Sequence, residues 1–151
     1  ITVYERYFLS IFNGSFGGHN TKYIMEKKLM RANDALEKLM EKKNVVFTEC
    51  NKNLAKGESV EEASTWAWRA DKDRANQADL IVTMNHGTVV GVVEPTSEWR
   101  KVTHGHCKGR IACDGDDVSS KYTGVIGANV NEVLGNTSSN PFRYGYEKNE
   151  K

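Results

Sequence analysis

The stretch 79–94, with the sequence DLIVTMNHGTVVGVVE, contains two β-rich runs at 79–84 and 88–94. Between the runs stand Asn85-His86-Gly87, and Asn and Gly are the residues that readily adopt the positive φ angles of a tight hairpin turn. Two such runs around a short turn predict an antiparallel hairpin. We expect this hairpin to form the centre of a sheet.

A long amphipathic helix is predicted before the hairpin, at 23–43. Its apolar residues recur at steps of three and four, and lysines and glutamates occupy the opposite face. The apolar residues are Met25, Leu29, Ala32, Leu36 and Leu39. This periodicity indicates a helix that packs through one stripe.

A second helix is predicted at 60–77. Ser59 and Glu62 have the spacing of a capping box, and alanines supply a weak apolar stripe after it. One of the two nearby indoles, Trp66 or Trp68, must face away from that stripe.

Four further segments are rich in β-branched or aromatic residues and predict strands. They are 4–12, 45–48, 99–103 and 110–113. A parallel sheet covered on both faces would need continuous apolar strands, whereas Glu5 and Arg6 interrupt the first segment. The expected fold is therefore α+β, a curved antiparallel sheet or partly open β-barrel flanked by two main helices.

Composition favours one domain. The chain has 151 residues, of which 38% are hydrophobic and 27% charged, the balance of an ordinary globular protein. A segment rich in Gly, Asn and Ser near 124–140 is expected to be flexible, with Val130, Val133 and Leu134 as its anchors. The net charge of +1 lacks the basic footprint of a protein that coats nucleic acid.

The cysteines and the N-terminus indicate a cytoplasmic protein. Cys50, Cys107 and Cys113 are odd in number and irregularly spaced, which suits reduced thiols better than a disulfide framework. The sequence has no signal-peptide pattern and no apolar run long enough to span a bilayer. No membrane association is expected.

Two His-x-Thr patterns, His19 with Thr21 and His86 with Thr88, resemble the paired motifs of two-histidine phosphoesterases. In such enzymes one histidine acts as base and the other as acid on a phosphodiester. Each motif of that family lies inside a hydrophobic strand, whereas His19 follows two glycines and His86 falls in the predicted turn. The phosphoesterase is therefore the alternative function.

Two weaker patterns concern metals and phosphates. His104, His106 and Cys107 could supply metal ligands, but no second cluster completes a site, so no metal and no cofactor is expected. The glycine-rich segment 13–18 precedes the first helix and could present N–H groups to a phosphate. It matches neither the dinucleotide fingerprint nor the P-loop.

Aromatic and arginine residues are dense in the β-rich half of the chain. Aromatic rings stack on bases and guanidinium groups pair with phosphates, so both together favour a nucleotide site. The candidate ligand-binding residues are Trp99, Arg100, Arg110, Tyr122, Arg143 and Tyr144. If Arg110 and Arg143 face one pocket, they would form a two-guanidinium clamp for phosphate.

A series of short motifs runs through the second half of the chain, at 78–82, 87–92, Trp99, 109–111, Asp114-Gly115, 122–124 and 140–144. This series resembles a group of small PUA-like domains from bacteria and their phages, which implies a bacterial cell or a phage-infected host. Ala112 and Gly124-Val125 depart from the pattern, which has an aromatic residue and a Gly-Lys pair there. No binding role is therefore carried over to those positions.

The resemblance implies a small mixed barrel, flanked by helices, that binds RNA, a modified base or a nucleotide. A specific version is a phage anti-defence protein that sequesters a nucleotide second messenger. No acid, base and nucleophile converge in the sequence pattern. We therefore expect a non-catalytic binding module for a nucleotide or short nucleic acid, with homo-oligomerisation left open.

Overall fold

The computed structural model describes residues 18–136 and 138–147. Its helices are α1 (Gly18–Lys42), α2 (Asn51–Ala55), α3 (Val60–Thr65), α4 (Lys72–Ala75) and α5 (Val130–Leu134). Its strands are β1 (Val45–Glu49), β2 (Leu80–Asn85), β3 (Thr88–Pro95), β4 (Arg100–Lys101), β5 (Ile111–Ala112), β6 (Gly115–Asp117) and β7 (Phe142–Tyr144). The predicted strand at 4–12 and most of the glycine-rich segment 13–18 lie outside the described residues.

The main sheet has five strands in the order β6-β3-β2-β1-β7, and β4 pairs with β5 in a separate two-stranded sheet. The α+β class is confirmed. The expectation of a fully antiparallel sheet was wrong, because β1 runs parallel to β2 while the other neighbours are antiparallel. Within the described residues the sheet does not close into a barrel.

The predicted central hairpin is confirmed as β2 and β3. His86 and Gly87 have φ angles of 51° and 80°, the positive values of a type I′ turn. The register shifts after Thr83, so that Met84 lies opposite Val89 and Val90 is left as an extra residue. This bulge puts Val89 and Val92 on the same face of the sheet, where both are buried.

Helix α1 covers one face of the sheet, as its periodicity predicts. Ala32 and Leu36 pack against residues of β1 and β2, among them Val45 and Phe47. Leu36 is fully buried, whereas Met25, in the N-terminal part of the helix, is 64% exposed. The apolar stripe therefore contacts the sheet through Ala32, Leu36 and Leu39, in the C-terminal half of the helix, and the prediction that Met25 belongs to the packed stripe was wrong.

The opposite face of the sheet carries a second apolar cluster. Residues that alternate with those under α1 point here, including Val46, Ile81 and Val93. The small β4–β5 sheet covers them and contributes Ile111, and the Trp99 ring meets the ring of Phe142 edge-on at 5.6 Å between centroids. The sheet is thus buried on both faces.

The predicted second helix is divided into two short helices. Ser59 caps α3 as predicted, with its Oγ accepting a hydrogen bond from the backbone N–H of Glu62 at 3.2 Å. The helix ends at Thr65 because the backbone of Trp68 pairs with that of Ile111 instead of continuing a helix. A new helix, α4, then begins after the cap residue Asp71. A single helix over 60–77 was therefore wrong.

Helix α3 packs closely on β3, and Gly91 makes this possible. A Cβ atom placed on Gly91 would lie 2.5 Å from Cγ1 of Val60 and 3.2 Å from Oγ of Ser119. The Ser119 hydroxyl also accepts a hydrogen bond from the backbone N–H of Val92 at 2.9 Å. The close approach fixes the position of α3, which leads directly into the Trp66–Trp68 segment.

The region 124–140 contains helix α5, capped by Asn129 and ended by Gly135 in the left-handed conformation. Val130 is fully buried, and Val133 and Leu134 pack against the cluster under α1, as predicted for these anchors. Beyond this region, the aromatic segment forms β7 at the edge of the sheet, antiparallel to β1.

We predict that Leu36→Ala lowers the free energy of unfolding by about 2–5 kcal/mol, since it removes a fully buried side chain from the core. Lys38→Ala, on the exposed side of the same helix, should change it by less than about 0.5 kcal/mol. Urea denaturation of the two variants measures the difference. Equal losses would show that α1 packs through another face.

Candidate ligand-binding groove

Neither histidine of the two His-x-Thr motifs lies inside a strand. His19 is in the first turn of α1, and its side chain is outside the described part of the structure; Thr21, on the same helix, is exposed. His86 occupies the hairpin turn, where its backbone N–H donates to Oδ1 of Asn51 at 2.7 Å and its Nδ1 lies 3.2 Å from Nδ2 of Asn51. The exposed Thr88 opens β3.

Two of the predicted ligand-binding aromatics belong to the core. Trp99 is only 2% exposed. Tyr144 packs edge-on against Phe142, and the guanidinium of Arg74 covers its ring at 3.9 Å from the centroid. Burial raises the pKa of the Tyr144 hydroxyl. Both rings are therefore already used in packing within the protein.

Three other predicted residues also have partners away from Arg110. Arg100 is exposed and lies 3.6 Å from the carboxylate of Asp114. Tyr122 packs against the cluster under α1. Arg143 donates from Nη1 to Oδ1 of Asn131 at 2.7 Å and from Nη2 to Asn136.

The structure separates Arg143 from Arg110. Arg143 stands between Phe142 and Tyr144 on β7, so its side chain points to the other face from those two rings. Its asparagine partners lie on and just after α5, which packs on the α1 side. Arg110 instead lines a cavity together with Phe142.

Arg110 lies where two adjoining cavities meet, which we call the groove. The larger cavity, of about 640 Å³, is lined by Trp66, Lys52 and His106, among others. The smaller, of about 500 Å³, contains Arg69 and Asn140. Both cavities share Ala67, Trp68, Arg110 and Pro141.

The end of α3 places Trp66 in this groove. Trp68 and Ile111 exchange two backbone hydrogen bonds, of 2.9 and 2.8 Å, and the Trp68 indole N–H donates to the carbonyl of Ser64 at 2.8 Å. These bonds hold the segment extended, and the indole of Trp66 remains 51% exposed. The alanine stripe had indicated that one of the two indoles faces outward, and the structure identifies it as Trp66.

Charges are distributed unevenly along the groove. Glu49, Glu58 and Lys52 line only the larger cavity, and Arg69 lines only the smaller one. Both carboxylate oxygens of Glu49 accept from the backbone N–H of Gly87 at 3.2 Å, which ties this end of the groove to the hairpin turn. One end thus has mixed charge and the other is basic.

A buried polar cluster lies behind the larger cavity. Oγ of Ser64 bonds to the hydroxyls of Thr48 and Thr83, neighbours on β1 and β2, and all three residues are fully buried. The Cys50 thiol donates to the carbonyl of Ala63 at 3.4 Å. Burial raises the pKa of this thiol, against the opposing effect of hydrogen bonds to Thr48 and Ser64. Cys50 is therefore held as a neutral thiol.

Residues 18–136 and 138–147 contain neither a metal-binding cluster nor a membrane-spanning helix. No group of three or more His, Cys, Asp or Glu is placed there to bind a metal ion; the Nδ1 of His104 lies 2.8 Å from the hydroxyl of Thr103. No helix in these ranges is long and apolar enough to cross a membrane. Comparison of the chain with protein-family models, curated proteins and solved structures found no match.

We predict that the thiols of Cys50 and Cys113 react slowly in the folded protein. Burial, together with the nearby Asp114 carboxylate, raises the pKa of Cys113 from 9.0 to about 12, which lowers its thiolate fraction at pH 8 roughly a thousandfold. Cys50 shifts in the same direction. Iodoacetamide at pH 8, followed by peptide mass spectrometry, should leave both residues unmodified, and denaturant should release them. Rapid modification of Cys113 without denaturant would contradict this placement.

Proposed function

We propose that this protein is a non-catalytic binding module for a nucleotide or short nucleic acid, which it holds in the groove. The observation that carries the proposal is the exposed Trp66 indole in the same cavity as Arg110. An indole stacks on any base, and a guanidinium pairs with phosphate through two parallel hydrogen bonds. A group that can stack on a base and a group that can pair with phosphate thus line the same cavity, which supports the proposal.

The size and charge of the groove agree with a small ligand. The larger cavity alone, at about 640 Å³, falls in the range of small-molecule and cofactor sites. The chain has 21 basic and 20 acidic residues, so binding depends on local contacts and not on a charged surface. This balance favours a nucleotide over duplex nucleic acid.

Binding without turnover is supported by the chemistry of the groove wall. Cys50 lines the larger cavity, but its pKa is raised and its thiol is hydrogen-bonded into the wall. A neutral buried thiol is a poor nucleophile. His86, one of the two histidines required by the phosphoesterase alternative, lies at the hairpin turn with its Nδ1 3.2 Å from Nδ2 of Asn51.

The ligand class includes nucleotide second messengers of bacterial defence systems. The resemblance of the second half of the chain to small PUA-like domains supports this narrower version. Cyclic nucleotides, cyclic dinucleotides and nucleoside 5′-monophosphates are therefore the first ligands to titrate, with short RNA as the comparison.

We predict that Trp66→Ala weakens binding of the best ligand in this panel. Loss of one stacked base costs about 1–3 kcal/mol, or roughly five- to a hundredfold in Kd. Trp66→Phe should retain part of the affinity, since a smaller ring still stacks. Isothermal titration calorimetry measures both variants.

Met25→Ala is the matched control, because Met25 is an exposed apolar residue on α1 and does not line the groove. It should leave Kd unchanged. Equal affinity of wild type and Trp66→Ala would contradict the proposed site. Chromatography of the titrated samples should recover the ligand intact, and cleavage that His86→Ala abolishes would support the phosphoesterase instead.

A further inference from the structure

The backbone pairing that ends α3 also aligns two arginines. Trp68 and Ile111 form an antiparallel pair that exchanges both backbone hydrogen bonds. Arg69 follows Trp68 and Arg110 precedes Ile111, so this bridge brings the two arginines near one another.

Other observations agree with this juxtaposition. Arg69 and Arg110 both line the smaller cavity, with Arg69 exposed and Arg110 partly buried. In the part of the chain that the structure describes, neither guanidinium has a carboxylate within ion-pair distance. Two like charges that line the same cavity repel each other. The pair therefore lacks the anion that would offset its repulsion.

We propose that Arg69 and Arg110 form a clamp for the phosphate group of a nucleotide bound in the groove. Each guanidinium has N–H groups in a planar fork that matches two phosphate oxygens. Arg110 lies at the junction with the larger cavity, so a clamped phosphate lies next to the wall that carries Trp66. The inference rests on the proposed function and orients the ligand, with its phosphate at Arg69 and Arg110 and its base toward Trp66.

The charges at the other end of the groove, in the larger cavity, limit which nucleotides fit there. Glu49 and Glu58 line the larger cavity with a single lysine, Lys52, so the net charge of these three is negative. A second phosphate there would face carboxylates, whereas the amino groups of a base could donate to them. The ligand is therefore a nucleotide with its charge at one end, of the nucleoside monophosphate type, and not a polynucleotide that runs through the groove.

The test compares each of four nucleosides with its 5′-monophosphate by isothermal titration calorimetry. At least one monophosphate should bind wild type roughly ten- to a hundredfold more tightly than its nucleoside. The double variant Arg69→Ala/Arg110→Ala should lose this difference and keep its nucleoside affinity. Arg100→Ala is the matched control, because Arg100 lies outside the groove with Asp114 as its partner.

Thermal melting supplies a readout that does not need a base. Inorganic phosphate, at constant ionic strength, should raise the Tm of wild type and not that of the double variant. Without ligand, the double variant should melt no lower than wild type, because the substitutions remove a repulsion and, within the described residues, no ion pair. A lower Tm of the unliganded double variant would show that the arginines are structural.

The outcomes separate the clamp from the proposed function. Nucleosides that bind with no gain from phosphate, or a gain that persists in the double variant, would overturn the clamp alone. Stabilisation by inorganic phosphate without any nucleoside or nucleotide binding would retain the clamp and overturn the nucleotide function. Affinity for RNA that rises with each added nucleotide would contradict a ligand charged at one end.

Discussion

The two backbone hydrogen bonds between Trp68 and Ile111 determine where α3 ends, how the β4–β5 sheet is attached and which residues line the groove. They convert a segment with helical composition into an extended one, so that α3 stops at Thr65 and α4 begins only after Asp71. The same bonds attach the β4–β5 sheet to the connection between β1 and β2. The exposure of Trp66 and the presence of Arg69 and Arg110 along one cavity follow from this single pairing.

Helix α3 is held in place by contacts that do not involve the Trp68–Ile111 hydrogen bonds. Gly91 lets Val60 approach β3 closely, and the buried Ser64 hydroxyl bonds to both central strands through Thr48 and Thr83. An unsatisfied buried hydroxyl costs about 1–3 kcal/mol, so these residues favour one position of α3 over others. A fixed α3 in turn fixes where the Trp66 indole leaves the core.

Local sequence signals predicted the elements that depend on local interactions. The apolar spacing of α1, the turn at His86 and Gly87, and the cap at Ser59 were all found where the sequence placed them. The parallel pairing of β1 with β2 was missed because it joins strands more than 30 residues apart and leaves no local pattern. The helix beyond Thr65 was wrong for a related reason, since backbone pairing over 43 residues outweighs a weak alanine stripe.

Of the predicted ligand-binding residues, Arg110 lines the groove. The helix pattern indicated that Trp66 or Trp68 faces outward but assigned it no binding role, and Arg69 could be recognised only once the Trp68–Ile111 bridge was known. The direction of the Arg143 side chain could also have been predicted from its neighbours in the sequence. In a strand with Phe142 and Tyr144 as neighbours, alternation already predicts that Arg143 points to the face opposite those two rings.

The central claim, that the groove beside Trp66 binds a nucleotide, is tested most directly by the indole N–H signals of the three tryptophans. Each gives a resolvable peak in a ¹H–¹⁵N NMR spectrum, and Trp66→Phe assigns one of them. On titration with a nucleoside 5′-monophosphate, the account predicts that the Trp66 peak moves most and the peak of the buried Trp99 stays in place. A Trp99 peak that moves while the Trp66 peak does not would contradict it.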